Sequence, residues 1–141
     1  MFKGLTVNKS EEGEVTASIE QLDDSFLPKE GEVTIRVHYA GLNYKDGLCL
    51  NGLGSLIRDY PRIPGVECSG EVLESSDERY KSGDKVVMTG WRFGEIWHGG
   101  YAEKAKVKAD WLVPLVDGIS LRQSMIFGTA ALTAVLGVQA L

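Results

Sequence analysis

From Glu32 to Tyr39 the chain alternates without a break. Val33, Ile35, Val37 and Tyr39 fall on one side, and Glu32, Thr34, Arg36 and His38 on the other. A period of two belongs to an extended strand with one buried face, whereas a helix would scatter these apolar residues around its axis. Shorter strands are expected at Phe2–Val7, Val15–Ile19, Gly70–Glu74, Lys85–Thr89 and Tyr101–Val107. Turn signals punctuate them: Glu12-Gly13, Lys29-Glu30-Gly31 and Ser82-Gly83-Asp84. Many short strands with such punctuation imply a barrel or a sandwich, so the expected class is mainly β with a few helices. The 17 glycines are spread over turns, and no internal repeat is evident.

With 141 residues the chain can build one domain with a core of its own. Hydrophobic content of 43%, charged content of 25% and a net charge of −5 are ordinary for a soluble protein. No basic stripe is present, which argues against a nucleic-acid surface. Lys104, Lys106 and Lys108 alternate, but Glu103 and Asp110 flank them, and they read as a solvated strand face. The start, Met1-Phe2-Lys3-Gly4, has no long apolar run, and no segment approaches the ~18 apolar residues of a membrane span. The expectation is a cytoplasmic protein with no membrane partner. Cys49 and Cys68 form neither a disulfide framework nor a CxxC motif, and both read as buried free thiols.

Chemistry concentrates where the long strand gives way to a loop, at Gly41-Leu42-Asn43-Tyr44-Lys45-Asp46, with a short helix expected over Lys45–Leu50. A second glycine-rich turn follows at Pro64-Gly65-Val66-Glu67-Cys68-Ser69-Gly70. Past Asp117 the pattern turns helical. Ser120 and Gln123 make a capping box for Leu121–Ile126, and a second helix starts near Thr129 and stays almost wholly apolar to Leu141. Such a helix is normally buried on all sides. It carries no closing signal, so the chain reads as a fragment or as half of something that needs a partner.

The residues carry a resemblance across essentially the whole chain. Leu42-Asn43-Tyr44-Lys45-Asp46, Ile63-Pro64-Gly65-Val66-Glu67, Gly83-Asp84-Lys85-Val86-Val87, the stretch from Thr89-Gly90-Trp91 to Gly99-Gly100-Tyr101-Ala102-Glu103, the run Val107 to Pro114, and Gly128-Thr129-Ala130-Ala131-Leu132-Thr133-Ala134 occur in order. This resembles the N-terminal catalytic domain of the medium-chain dehydrogenase/reductase superfamily, in the subgroup of quinone oxidoreductases and NADPH-dependent acryloyl-CoA reductases. The resemblance implies a GroES-like, partly open β-barrel over residues 1–126. Residues 127–141 would then start the helix that links to a Rossmann domain.

The resemblance also implies a zinc-independent site. Zinc-binding superfamily members carry a Cys-His pair, a second-turn His and a late Cys. Asn43, Tyr44, Val66 and Thr129 stand there here, with Glu67 retained. Three of those ligand positions hold residues that do not make a normal zinc site. His38, on the polar strand face, and His98, in a loop, read as surface or structural residues. Without zinc, the implied chemistry is hydride transfer from NADPH to a conjugated C=C of an enoyl thioester, or to a quinone, with hydrogen-bond donors for the developing oxyanion. Tyr44, Asn43 and Asp46 are the catalytic candidates. Tyr44 is the first choice as polar donor, and Asp46 either orients Lys45 or Tyr44 or caps the short helix. Asn43, Tyr44, Thr129 and Thr133 are the cofactor-side candidates. Trp91 and Arg92 are the substrate-side candidates, with Arg58 and Arg62 also available to a phosphate. The implied parent is an oxidoreductase and a homodimer. Gly52-Leu53-Gly54 fails as a dinucleotide fingerprint, so the isolated chain is expected to be inactive. The alternative is a non-catalytic module that binds a partner through its apolar terminal helix.

Overall fold

The computed structural model describes all 141 residues. Strand β1 (Phe2–Lys9) pairs antiparallel with β2 (Val15–Leu22) as a separate two-stranded ribbon. A five-stranded antiparallel sheet holds β3 (Val33–Ala40), β4 (Glu67–Ser75), β5 (Lys85–Thr89), β6 (Lys104–Val107) and β7 (Leu112–Pro114). Its order is β6-β3-β4-β5-β7. The two sheets do not close on each other, as a partly open GroES-like barrel requires. Helix α1 (Tyr44–Leu50) follows β3, and α2 (Leu121–Gln139) lies across β3, β4 and β5.

Burial of the alternating face builds the core. Val33 and Ile35 of β3 meet Cys68 and Val72 of β4, Val86 and Met88 of β5, and Ala105 and Val107 of β6, with Phe93 closing the end. Each such apolar side chain stabilises the fold by about 1.5–3 kcal/mol relative to exposure. A smaller cluster, Phe2, Leu22, Leu27 and Ile63, joins the ribbon to the main body. A third, Val7, Cys49 and Ile57, anchors α1.

The alternation fails at two expected positions, for Thr34 on the polar side is buried at 5% exposure and Tyr39 on the apolar side turns outward. Tyr39 is 43% exposed, not buried with Val33 and Ile35. The β3–β4 register slips between Val37 and Tyr39, and a bulge there rotates the following side chains outward. Two short 3₁₀ turns, Asp24–Phe26 and Ala109–Trp111, and the brief strand β7 carry no period long enough to read from sequence.

Helix α2 departs from expectation in two ways. First, its outer face is not buried: Leu132, Val135, Leu136 and Val138 are exposed. Second, its 19 residues, with mean hydropathy 1.3, are long and apolar enough to cross a membrane by length and composition, although no such segment is evident from sequence. The helix is broken at Gly128 (φ 48°, ψ −158°), so neither of its two parts reaches the ~30 Å of a bilayer core. That backbone region is open essentially to glycine alone.

Candidate functional site

The turn after β3 and the turn into β4 are brought together by Asp46. Its side chain is 0% exposed. One carboxylate oxygen accepts the Asn43 N–H at 2.8 Å and the other accepts the Val66 N–H at 3.0 Å. The capping role is therefore the one the geometry fits, because the buried Asp46 carboxylate bonds to neither Tyr44 nor Lys45. Tyr101 donates to the Gly41 carbonyl at 3.1 Å. Burial, followed by the neighbouring Asp46 carboxylate, pushes its phenol well above the ordinary range.

Glu67 organises the next layer. It is 3% exposed, and its charge is matched by donors on two elements. Asn43 Nδ2 donates to Oε1 at 2.8 Å, while the Thr129 N–H and hydroxyl both donate to Oε2 at 2.6 Å. Since the Thr129 proton goes to Glu67, Thr89 must donate in the 2.6 Å hydroxyl contact between the two threonines. The break at Gly128 follows from this arrangement: the Thr129 amide turns to the carboxylate instead of continuing the helix ladder. Two glycines leave room for it. A Cβ on Gly128 would sit 2.6 Å from Glu67 Oε1, and one on Gly41 would collide with the same oxygen.

Around these anchors lies a cleft of about 680 Å³ lined by Asn43, Tyr44, Lys45, Val66, Gly90, Trp91, Arg92, Phe93, Glu95, Thr129, Ala130 and Thr133. Six of the seven sequence candidates thus meet in one cleft, and only Asp46 sits beneath it. Tyr44 is 85% exposed and bonds to no protein group, which leaves its phenol available to a ligand. Thr133 donates to the Thr129 carbonyl at 2.8 Å, so that hydroxyl is back-bonded to its own helix.

The far wall is the loop from Trp91 to Trp97. Trp91 and Arg92 are consecutive left-handed residues (φ 54° and 55°), a conformation that side chains rarely adopt. Trp91 stacks on Trp111 with ring centroids 5.9 Å apart. Trp97 meets the same ring edge-on at 4.9 Å and donates to the Lys106 carbonyl at 2.7 Å. Trp91 therefore faces the cleft, whereas Trp97 is packing. Beneath the loop, buried Glu95 binds Lys45 Nζ at 3.0 Å and Arg92 Nε at 3.3 Å. Of the three arginines available to a phosphate, only Arg92 lines the cleft. Arg62 is largely buried beside Asp59.

No three His, Cys, Asp or Glu side chains converge as a metal cluster. His98 accepts the Ile63 N–H at 3.2 Å and packs against Phe26 with the rings tilted by 40°, a structural role. Burial, then the Arg62 guanidinium, pulls its pKa down to about 4. His38 lies on the surface, 3.6 Å from Glu71. Cys49 and Cys68 are buried free thiols.

Sequence reasoning overlooked Glu67 and Glu95 as site organisers. Each carried a signal: Glu67 is the one acid in the second glycine-rich turn, and Glu95 is the one acid between Trp91 and Trp97. What neither signal contains is burial, and burial makes a carboxylate an anchor.

The chain matches the alcohol dehydrogenase GroES-like domain family over residues 29–117. It is similar, at 56% identity over its full length, to the acrylyl-CoA reductase AcuI of Ruegeria pomeroyi, of which it spans 43%. The solved yhdH oxidoreductase of Salmonella enterica in complex with NADP superposes with a TM-score of 0.94 at 46% identity, over 99% of this chain and 42% of that one. The Bacillus subtilis protein yhfP with NAD bound gives 0.93 at 41% identity, over 99% and 42%. The chain therefore spans less than half the length of these relatives. With its open barrel, its glycine-bounded carboxylate and this match across most of its length, the chain belongs to the alcohol dehydrogenase GroES-like domain family.

Proposed function

We propose that this chain is the substrate-side domain of a zinc-independent, NADPH-dependent reductase acting on a conjugated C=C of an enoyl thioester, with a quinone as the alternative acceptor. The carrying observation is the cleft itself. A free phenol at Tyr44 stands beside an amide, Asn43, and a helix start, Thr129, both held by one buried carboxylate. The 56% identity to an acrylyl-CoA reductase supports the thioester, and the sequence resemblance to quinone oxidoreductases supports the alternative.

The residues present fit one end of a dinucleotide. Asn43, Tyr44, Thr129, Ala130 and Thr133 line a cleft of sufficient size for a nicotinamide and a small acyl group. Gly52-Leu53-Gly54 lies in turns after α1, not between a strand and a helix, so the phosphates would be held outside these residues. Bound there, NADPH supplies the hydride. Tyr44 would donate a hydrogen bond to the substrate carbonyl oxygen as negative charge collects on it, and a proton drawn from solvent would complete the C–H bond at the α carbon. Asn43 orients the reacting groups through its carbonyl oxygen and its second amide N–H, since the first is engaged by Glu67. Trp91 covers the cleft and limits water. In this reading residues 127–141 lead into a cofactor domain, and the whole protein is a cytoplasmic homodimer.

The test is an assay of acryloyl-CoA and quinone reduction with NADPH and NADH, by the 141-residue chain and by the full product of its gene. Turnover by the full product alone is expected. No turnover by either would sink the reading. It would favour a non-catalytic module docking a partner on α2, a reading that draws on the exposed Leu132, Val135, Leu136 and Val138.

A further inference from the structure

The group least explained by hydride transfer is the trio Lys45, Arg92 and Glu95. One buried carboxylate holds two cations, one on each oxygen. Glu95 can neutralise only one of them, so a net positive charge remains. The two cations are half-exposed, at 50% and 49% of their side chains, while their counter-ion is 5% exposed. What faces the cleft is therefore cationic, in a chain whose net charge is −5. The nearby Glu67 and Asp46 carboxylates do not oppose this at the surface. Both are buried, and their bonds go to backbone or side-chain donors of the protein.

The donors are also largely unspent. Arg92 uses Nε on Glu95, and neither of its terminal nitrogens bonds to the protein. Lys45 uses one of its three N–H bonds. The two come from distant parts of the chain, α1 and the tryptophan loop. Arg92 is presented from a left-handed backbone position that a side chain rarely adopts. A guanidinium with its flat fork free, set beside an ammonium, suits the oxygens of a phosphate.

We infer that Lys45 and Arg92, fixed as a pair on Glu95, form a recognition site for a permanent phosphate-class anion on the substrate. The cleft thereby selects a phosphorylated acyl-thioester carrier over a neutral acceptor. The inference rests on the thioester reading above and assigns Lys45 and Arg92 to ground-state binding, with no part in the chemical step.

The experiment compares two saturated, unreactive thioesters, propionyl-CoA and propionyl-pantetheine, which share the acyl end and differ in their phosphates. Their binding to the full-length protein is measured by calorimetry at low and high salt. The wild type should favour the CoA ester, and the preference should fall with added salt. Arg92→Gln and Lys45→Gln should each shrink it by about five- to tenfold, and Arg92→Lys, which keeps the charge but loses the fork, should recover only part of it. An unchanged preference in both glutamine variants, or equal binding of the two esters by the wild type, overturns the inference. Quinone turnover without thioester binding would sink this inference and leave the reductase standing. Thioester binding with its preference intact but no turnover would sink the reductase and leave the anion site.

Discussion

The carboxylate of Asp46 accepts the backbone N–H of Val66 at 3.0 Å, across the gap between the two glycine-rich turns. The turns are joined by no strand ladder at that point, so a side chain does what a ladder would otherwise do. Asp46→Ala should therefore strand two buried amides and destabilise the chain by about 3 kcal/mol. Asp46→Asn, which keeps an acceptor but turns a donor toward one amide, should cost about half as much. Chemical denaturation of the two variants checks the order. Equal stability of wild type and Asp46→Ala would remove the tie from the account.

Glu67 and Gly128 form a second testable unit. Gly128→Ala places a Cβ against the carboxylate at a backbone angle unsuited to it, so a loss of about 2–4 kcal/mol is expected. Thr129→Val removes the hydroxyl donor and leaves the Thr89 proton without its acceptor, at about 1–2 kcal/mol. In the full protein, Thr129→Val should also lower kcat/KM, because Asn43 shares the same carboxylate. Thermal melts and steady-state kinetics on the same samples separate the two effects.

Much of this was legible before the fold was seen. The strand Val33–Ala40, the short helix after Asn43, the capping box at Ser120 and the restart of the helix at Thr129 all follow from local pattern. Local pattern pointed to Asn43, Tyr44 and Asp46 at the end of a strand, whereas Thr129 and Thr133, inside a helix, came only from the family resemblance. What stayed hidden needed a third dimension. A bulge turned Tyr39 outward. Asp46 stood open between orienting Lys45 or Tyr44 and capping the short helix until its two backbone partners were visible. Glu67 was visible only as a retained acid of the second turn and Glu95 not at all, because burial is what makes either an anchor.

His98 supplies a pH dependence with a definite sign. Its folded pKa is about 4, lowered by burial and then by Arg62, against about 6.5 when unfolded. Between those values the unfolded chain takes up a proton that the folded chain refuses. Stability should therefore fall as pH drops from about 6.5 to 4, by about 2 kcal/mol after allowance for partial exposure. His98→Gln, with an acceptor for the Ile63 amide, should flatten that stretch of the stability curve. A slope identical to wild type would assign the effect to other groups.

The two thiols should be inert. Burial pushes Cys49 up to about 11, with Glu95 adding to it, and Cys68 up to about 12. Neither should react with a thiol reagent at pH 8 in native buffer, and both should titrate once denaturant is added. Fast labelling of either in the native state would show that the core opens readily.

The interruption at Gly128 also divides α2 into parts with different fates. The part from Leu121 is pinned by Ser69, whose hydroxyl donates to the Leu121 carbonyl at 2.8 Å, and it packs on the sheet. The part from Thr129 is held at its first residue by Glu67 and presents an exposed apolar face. With no continuous ladder between them, opening one need not open the other. Amide hydrogens after Gly128 should therefore exchange with solvent long before those ahead of it, a loose end hung from the anchored Thr129.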